Sequence, residues 1–134
     1  MKHLFPRSAL MLLLLLGAMA AHADDARVYF QSLADGASVT SPVHAQFGVD
    51  GMTVAPAGST DPNTGHFHVI IDAPAVAAGE VIPFDAQHLH YGKGQTEADI
   101  PLPPGEHTLT LQFADGAHRA YGGSLDQTIH VTVR

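Results

Sequence analysis

The chain is organised around residues 65–72, which read GHFHVIID. This run has the length and composition of a β-strand, in which side chains point alternately to the two faces. Phe67, Val69 and Ile71 therefore share one face, and His66 and His68 share the other. The apolar face predicts a core strand. The two imidazoles on the opposite face predict a place where a metal ion can bind.

A second histidine pair, His88 and His90, flanks a single leucine further along the chain. If the two His-x-His strands are neighbours in one sheet, four ring nitrogens lie on a common face, enough to bind a divalent ion. We therefore predict a copper or zinc site with His66, His68, His88 and His90 as ligands. A ligating imidazole must be neutral, so we expect its affinity to fall below about pH 6.5.

Three further residues are candidates for supporting roles. Asp72 ends the first histidine strand with the parity of its histidines, which suits a carboxylate that orients a ligand or joins the set; a turn-forming role is the alternative. His107 shares its parity with Leu109, which predicts a ring at the core edge bonded to a backbone carbonyl or a carboxylate. His118 lies on a loop from which its ring can reach a site.

The pattern from Arg27 onward predicts an all-β fold. Short alternating segments are separated by Gly, Pro, Asp and Asn, and no segment keeps a helical period. Seven strand candidates in about 105 residues favour an immunoglobulin-like antiparallel β-sandwich. Residues 55–65 read as a long surface loop, and residues 73–84, which contain two prolines and a glycine, read as a connection between sheets.

The first 23 residues have the features of a cleaved export signal. A positively charged start precedes a short apolar run and the small-x-small sequence Ala21-His22-Ala23. Cleavage after Ala23 would leave residues 24–134 as a single domain, with cleavage after Ala20 or Ala21 as alternatives. The apolar run is too short for a membrane span. We therefore expect a periplasmic or secreted protein with no membrane span after cleavage.

Composition limits the classes of partner and chemistry. The chain has 13 Asp and Glu against 6 Lys and Arg, a net charge of −7, which becomes −9 when Lys2 and Arg7 leave with the signal. So acidic a chain argues against nucleic acid as a partner. There is no cysteine, so metal ligands must come from His, Met or carboxylates. No serine lies in a nucleophile motif, and we predict no catalytic residues.

Two longer strings identify the chain as a member of a family. They are TGHFHVIID at 64–72 and HLHYGKGQTEADIPLPPGEHTLTLQFADGAH at 88–118. These strings resemble the exported bacterial family catalogued as domain of unknown function 4399. The resemblance covers nearly all of the predicted mature chain. It implies a short, exported, β-rich protein and no particular activity.

Two weaker resemblances suggest functions. Residues 35–42 are similar to the opening of periplasmic copper-carrier domains, which use an N-terminal histidine as a copper ligand and would give His22 that role after cleavage at Ala21. His66, His68 and Asp72 are similar to the first cupin motif, but the second motif is not matched. The sequence therefore favours an exported, non-catalytic protein that binds copper or zinc. The alternatives are a module that binds an envelope protein and uses its histidines structurally, and a cupin-like metalloenzyme.

Overall fold

The computed structural model describes residues 25–134, so the predicted signal peptide and its cleavage sites lie outside the described residues. The described chain forms nine β-strands and no α-helix. The strands are β1 (Arg27–Phe30), β2 (Ala37–Val39), β3 (Val43–Asp50), β4 (Thr53–Val54), β5 (Thr64–Ile71), β6 (His88–Tyr91), β7 (Glu97–Ile100), β8 (Gly105–Ala114) and β9 (Asp126–Val133). In residues 25–134, no helix has the length and apolarity needed to cross a membrane.

The strands form two sheets. The smaller sheet has the order β1-β3-β7 and is antiparallel throughout. The larger has the order β2-β9-β8-β5-β4, and β6 also pairs with β5. The β2–β9 and β4–β5 pairs are parallel, whereas β5, β6, β8 and β9 pair antiparallel. Strand β5 is therefore an interior strand, bonded to β8 on one edge and to β6 and β4 on the other.

The main core lies between the two sheets. Phe47 of the smaller sheet packs against Phe67 and Tyr91 of the larger one, with ring centroids 5.3 and 5.2 Å apart. Val69, Leu109 and other alternating apolar residues fill the same layer. The predicted apolar face of β5 is therefore confirmed as a core face. The all-β sandwich prediction is also confirmed, although β2 and β4 raise the number of strands above the predicted seven and introduce parallel pairs.

The second face of β5 is buried as well. Residues 73–87, which we call the strap, connect β5 to its neighbour β6 and cross the outer face of the larger sheet. The prediction that this segment connects the two sheets is therefore wrong, because β5 and β6 belong to the same sheet. Ile82 of the strap packs with Ala114 and Ala120 in a second small core. Two backbone hydrogen bonds, from Gly79 N–H to the Ala120 carbonyl and from Ile82 N–H to the His118 carbonyl, fasten the strap to the loop after β8.

Gln112 holds the strap from the sheet side. Its fully buried side chain accepts a hydrogen bond from the Val76 backbone N–H at 2.9 Å and donates one to the Val76 carbonyl at 2.8 Å. The amide thus takes the place that a neighbouring strand would have. Buried backbone groups require such partners, so this single side chain lets an irregular segment lie against the face of a sheet.

We expect Gln112→Leu to destabilise the protein by about 2–4 kcal/mol, because it leaves the Val76 N–H and carbonyl without their partners in a buried place. Urea unfolding of the metal-free protein measures this. Gln87→Leu, which changes an exposed strap residue, is the matched control and should have a much smaller effect. Equal stability of the two variants would contradict the role given to Gln112.

Candidate metal centre

The two His-x-His strands are neighbours in the larger sheet, as predicted. Antiparallel pairing of β5 with β6 sets His90 opposite His68 and His88 opposite Ile70. A register that matched both pairs would instead set His90 opposite His66 and His88 opposite His68. The observed register differs from that one by two residues on one strand. It places His90 beside the two histidines of β5 and places His88 beyond them, opposite Ile70.

His88 consequently does not join the cluster that the sequence predicts for it. Its Nδ1 donates to Asp85 Oδ1 at 2.6 Å, within the turn that opens β6. The fourth imidazole at the site is that of His118, which the sequence names only as a supporting candidate. The four-histidine cluster therefore consists of His66, His68, His90 and His118.

The loop after β8 is shaped to present His118. Asp115 Oδ1 accepts hydrogen bonds from the backbone N–H groups of Ala117 and Arg119, both at 2.9 Å. Between them, His118 adopts a positive φ of 63°, an uncommon conformation for a residue with a Cβ. The strap residue Ile82 bonds to the His118 carbonyl. These contacts fix the backbone of a loop residue as firmly as strand pairing fixes the other three.

The cluster is tight. One ring nitrogen from each histidine lies within 4.8 Å of the corresponding nitrogen of the other three. His66 Nε2 is 3.1 Å from His118 Nδ1 and 3.0 Å from His68 Nε2. In a tetrahedral site with metal–nitrogen distances of about 2.0–2.1 Å, ligand nitrogens are separated by about 3.3 Å. These two separations are therefore close to the spacing that a bound transition metal needs, and all four donor atoms lie within 4.8 Å of one another.

Burial keeps the cluster neutral. His66 and His68 are 0% and 1% exposed. Loss of hydration, reinforced by the neighbouring imidazoles, lowers the pKa of His66 to about 4 and that of His68 to about 3. Burial also lowers the pKa of His90. At neutral pH these three rings carry no charge, and each has a nitrogen lone pair.

Hydrogen bonding within the cluster does not satisfy the rings. His66 Nε2 lies within bonding distance of two other ring nitrogens, yet a neutral imidazole nitrogen has either one N–H or one lone pair. His66 Nδ1, His68 Nδ1 and His90 Nε2 are buried without a hydrogen-bond partner among residues 25–134. Each unmet buried polar atom costs about 1–3 kcal/mol.

The other histidines of the described chain are paired differently. Each donates through Nδ1 to an aspartate: His44 to Asp99, His88 to Asp85, His107 to Asp72 and His130 to Asp35. The eight histidines of residues 25–134 thus divide into four with a carboxylate partner and four whose rings meet only other imidazoles at hydrogen-bonding distance or have no such partner.

Asp72 and His107 form a separate site rather than supporting the cluster. Asp72 Oδ2 accepts from His107 Nδ1 at 2.7 Å, and its Oδ1 accepts from the Thr108 N–H at 2.9 Å. The other ring nitrogen of His107 donates to the Pro103 carbonyl at 2.8 Å, so both predicted kinds of partner for this residue are present. Asp72 has a φ of 54°, in keeping with the turn-forming alternative.

The outer edge of the cluster is formed by Gly92 and Phe84. A Cβ on Gly92 would lie 2.3 Å from His90 Cε1 and 2.5 Å from His90 Nε2, so the missing side chain is what lets this ring lie over the backbone. The Phe84 ring of the strap lies 5.1 Å from His90 and 6.3 Å from His118, centroid to centroid. Phe84 is 76% exposed and separates these two rings from solvent on one side.

Fold and site together define a small β-sandwich protein with a cluster of four histidines, of which two are buried and two half-buried. Residues 45–134 match the family described as Domain of unknown function (DUF4399), and the chain belongs to that family. Comparison with curated proteins and with solved structures finds no match. The family resemblance read from the sequence is confirmed, and it brings no activity with it.

The depressed pKa values of His66 and His68 predict that acid destabilises the metal-free protein. The unfolded chain takes up protons near pH 6.5, whereas these folded rings do so only near 4 and 3. The free energy of unfolding should therefore fall as pH decreases from 7 to 4. The slope is at most about 1.4 kcal/mol per pH unit for each such histidine.

His68→Leu should flatten this pH dependence by up to about 1.4 kcal/mol per unit, since the unfolded variant no longer gains that proton. Urea unfolding at a series of pH values, in the presence of a chelator, measures it. The control is His44→Leu, because hydrogen bonding to Asp99 raises the pKa of His44 and its removal acts in the opposite sense. An unchanged slope in His68→Leu would contradict the burial argument.

Gly92→Ala should displace the His90 ring towards solvent, since the added methyl group and the ring cannot share their space. The pKa of His90, lowered by burial, should then rise towards 6.5. An NMR titration of the ring protons reports this. Gly58→Ala, where a Cβ meets nothing within 4 Å but the φ of 88° strains an alanine, is the control for a destabilising glycine substitution that does not contact the His90 ring. No change at His90 would disprove the packing role.

Proposed function

We propose that the protein is an exported, non-catalytic binding protein that holds a copper or zinc ion with His66, His68, His90 and His118. The observation that carries the proposal is the division of the histidines into two groups. Four of them have a carboxylate partner, whereas these four, two fully buried and two half-buried, converge on one another, and none of them bonds to a carboxylate or backbone group of residues 25–134. A bound ion would take up the converging lone pairs.

The ligand types suit these metals. Imidazole is a good ligand for zinc and copper, and the site has no thiolate to favour other soft-metal chemistry. Four protein donors also form a complete set for a tetrahedral ion. Catalytic zinc sites keep one position free for water or substrate, whereas complete sets are typical of ions that are held without chemistry. This supports a binding role over an enzymatic one.

Proton competition at His66 and His68 should set in well below pH 6.5. Because the pKa of His66 is lowered to about 4 and that of His68 to about 3, their lone pairs stay free of protons in mildly acidic solution. These two histidines should therefore remain available to bind a metal ion at a lower pH than histidines with an ordinary pKa. Export is supported by the amino-terminal sequence features alone.

A second candidate is an interaction module whose clustered histidines are structural. The contacts of 3.0 and 3.1 Å at His66 Nε2 favour it, since they are also hydrogen-bond distances. In that case the rings would hydrogen-bond to one another, and an envelope protein would bind to a different surface of the domain. The two functions differ in one measurable property, the affinity for metal.

Titration of metal-free protein with zinc and with copper in both oxidation states, against chromophoric chelators, tests the proposal. We expect a single ion to bind each chain. His118→Asn should weaken binding about 100-fold or more, because it removes a donor from the set. Asparagine tolerates the positive φ at this position, so the loop should keep its shape.

His88→Asn is the matched control. This histidine neighbours the cluster on the same sheet face but bonds to Asp85, so its loss should change the affinity only a few-fold. Binding no tighter than high micromolar for every ion would overturn the proposed function. Equally small losses in the two variants would remove His118 from the proposed ligand set, and equally large losses would add His88 to it.

A further inference from the structure

The four rings of the cluster are arranged as a tetrahedron. Their six centroid separations are 4.8, 5.0, 4.9, 5.2, 5.8 and 4.7 Å. Four points with six similar separations cannot lie in a plane, since the diagonals of a square are about 1.4 times its sides. The longest separation here is 5.8 Å and the shortest is 4.7 Å.

This shape distinguishes between oxidation states of copper. Zn(II) and Cu(I) have filled d shells and accept tetrahedral sites, whereas Cu(II) prefers square-planar or tetragonal ones. The histidines lie on two paired strands and on a loop tied to the strap. Strand pairing and loop hydrogen bonds hold the four backbones, and close packing holds the fully buried rings of His66 and His68, so the protein favours ions that need no flattening of the donor set.

Charge distinguishes between the two ions that remain. All four donors are imidazoles, so the ion keeps its full charge in a site where two of the donors are 0% and 1% exposed. The free energy of moving an ion out of water grows with the square of its charge. A monovalent ion therefore pays about a quarter of the desolvation free energy of a divalent one.

Asp115 is a carboxylate on the loop that presents His118. Asp115 acts on His66, where its field opposes the larger effect of burial on the pKa. Its Oδ1 accepts two backbone N–H groups of the His118 loop, so it acts on the cluster as a nearby charge. Phe84, an aromatic ring rather than a second carboxylate, stands at the outer edge. One carboxylate balances an ion of charge +1 and leaves one of charge +2 half balanced.

We propose that the ion selected by this site is monovalent copper, Cu(I), in preference to Zn(II) and Cu(II). The inference rests on the proposed function and narrows it, since the sequence by itself suggests a divalent ion. Tetrahedral donors disfavour Cu(II), and four imidazole donors, two of them fully buried, disfavour Zn(II) because they offset none of the charge of a divalent ion. Bound copper is accordingly stabilised in its reduced state.

Oxygen-free competition titrations test the selection. Metal-free protein is titrated with Cu(I) against bicinchoninate, and in parallel with Zn(II) and Cu(II) against chelators of known affinity. The expected result is a Kd for Cu(I) at least about tenfold lower than for either divalent ion. Tighter binding of Zn(II) or Cu(II) overturns this inference and leaves the metal-binding function intact. No binding of any ion overturns both.

Asp115→Asn tests the charge argument separately, because an asparagine oxygen can still accept the two loop hydrogen bonds. Coulomb energy is proportional to the charge of the ion, so the factor by which Cu(I) binding weakens should be about squared for Zn(II). Asp50→Asn, which changes a carboxylate paired with Arg27 on the smaller sheet, should leave both affinities unchanged. Equal factors for the two ions in Asp115→Asn would overturn the electrostatic basis of the selection.

Discussion

Strand β5 is hydrogen-bonded along both edges and buried on both faces, and the rest of the structure follows from this constraint. Phe67 and Val69 on one face join the two sheets, so the strand cannot rotate or slip without opening the core. The other face must then present His66 and His68 to the interior whatever their chemistry. The strap, the loop after β8 and Gln112 are arranged to bury that face and to pair the backbone groups that come with it.

Burial of uncharged imidazoles has a consequence for how the molecule distributes its charge. Aspartates are abundant in this acidic chain, and each of the remaining histidines of the described region is hydrogen-bonded to one of them. Neither the strap nor β8 brings an aspartate into hydrogen-bonding contact with the cluster. Asp115 instead accepts hydrogen bonds from the backbone of its own loop. Two kinds of histidine site therefore coexist in one small domain, one in which each imidazole is paired with a carboxylate and one in which imidazoles contact other imidazoles.

The parts of this structure that depend on local pattern could be predicted from the sequence. Period-two alternation identifies β3, β5, β8 and β9, and the spacing of His66 and His68 gives them a common face. The register of β5 with β6 cannot be deduced from either strand alone. A shift of one strand by two residues leaves every side chain on the same face of the sheet, so both registers fit the alternation. That ambiguity is why His88 is predicted at the site and is found beside Ile70. His118 is the reverse case, since only the tertiary contacts of its loop bring it there.

The strap also determines how the interior of the cluster communicates with solvent. His66 and His68 are fully buried, and Phe84 of the strap contacts the half-buried rings of His90 and His118 beside them. Lifting the strap from the sheet breaks the two hydrogen bonds of Gln112 and exposes Ile82, so it is a local unfolding event with its own free energy, smaller than that of the whole domain. If the cluster holds an ion as proposed, we expect the rate at which the ion leaves to depend on this segment. That rate can change with substitutions in the strap while the equilibrium affinity of the donors stays the same.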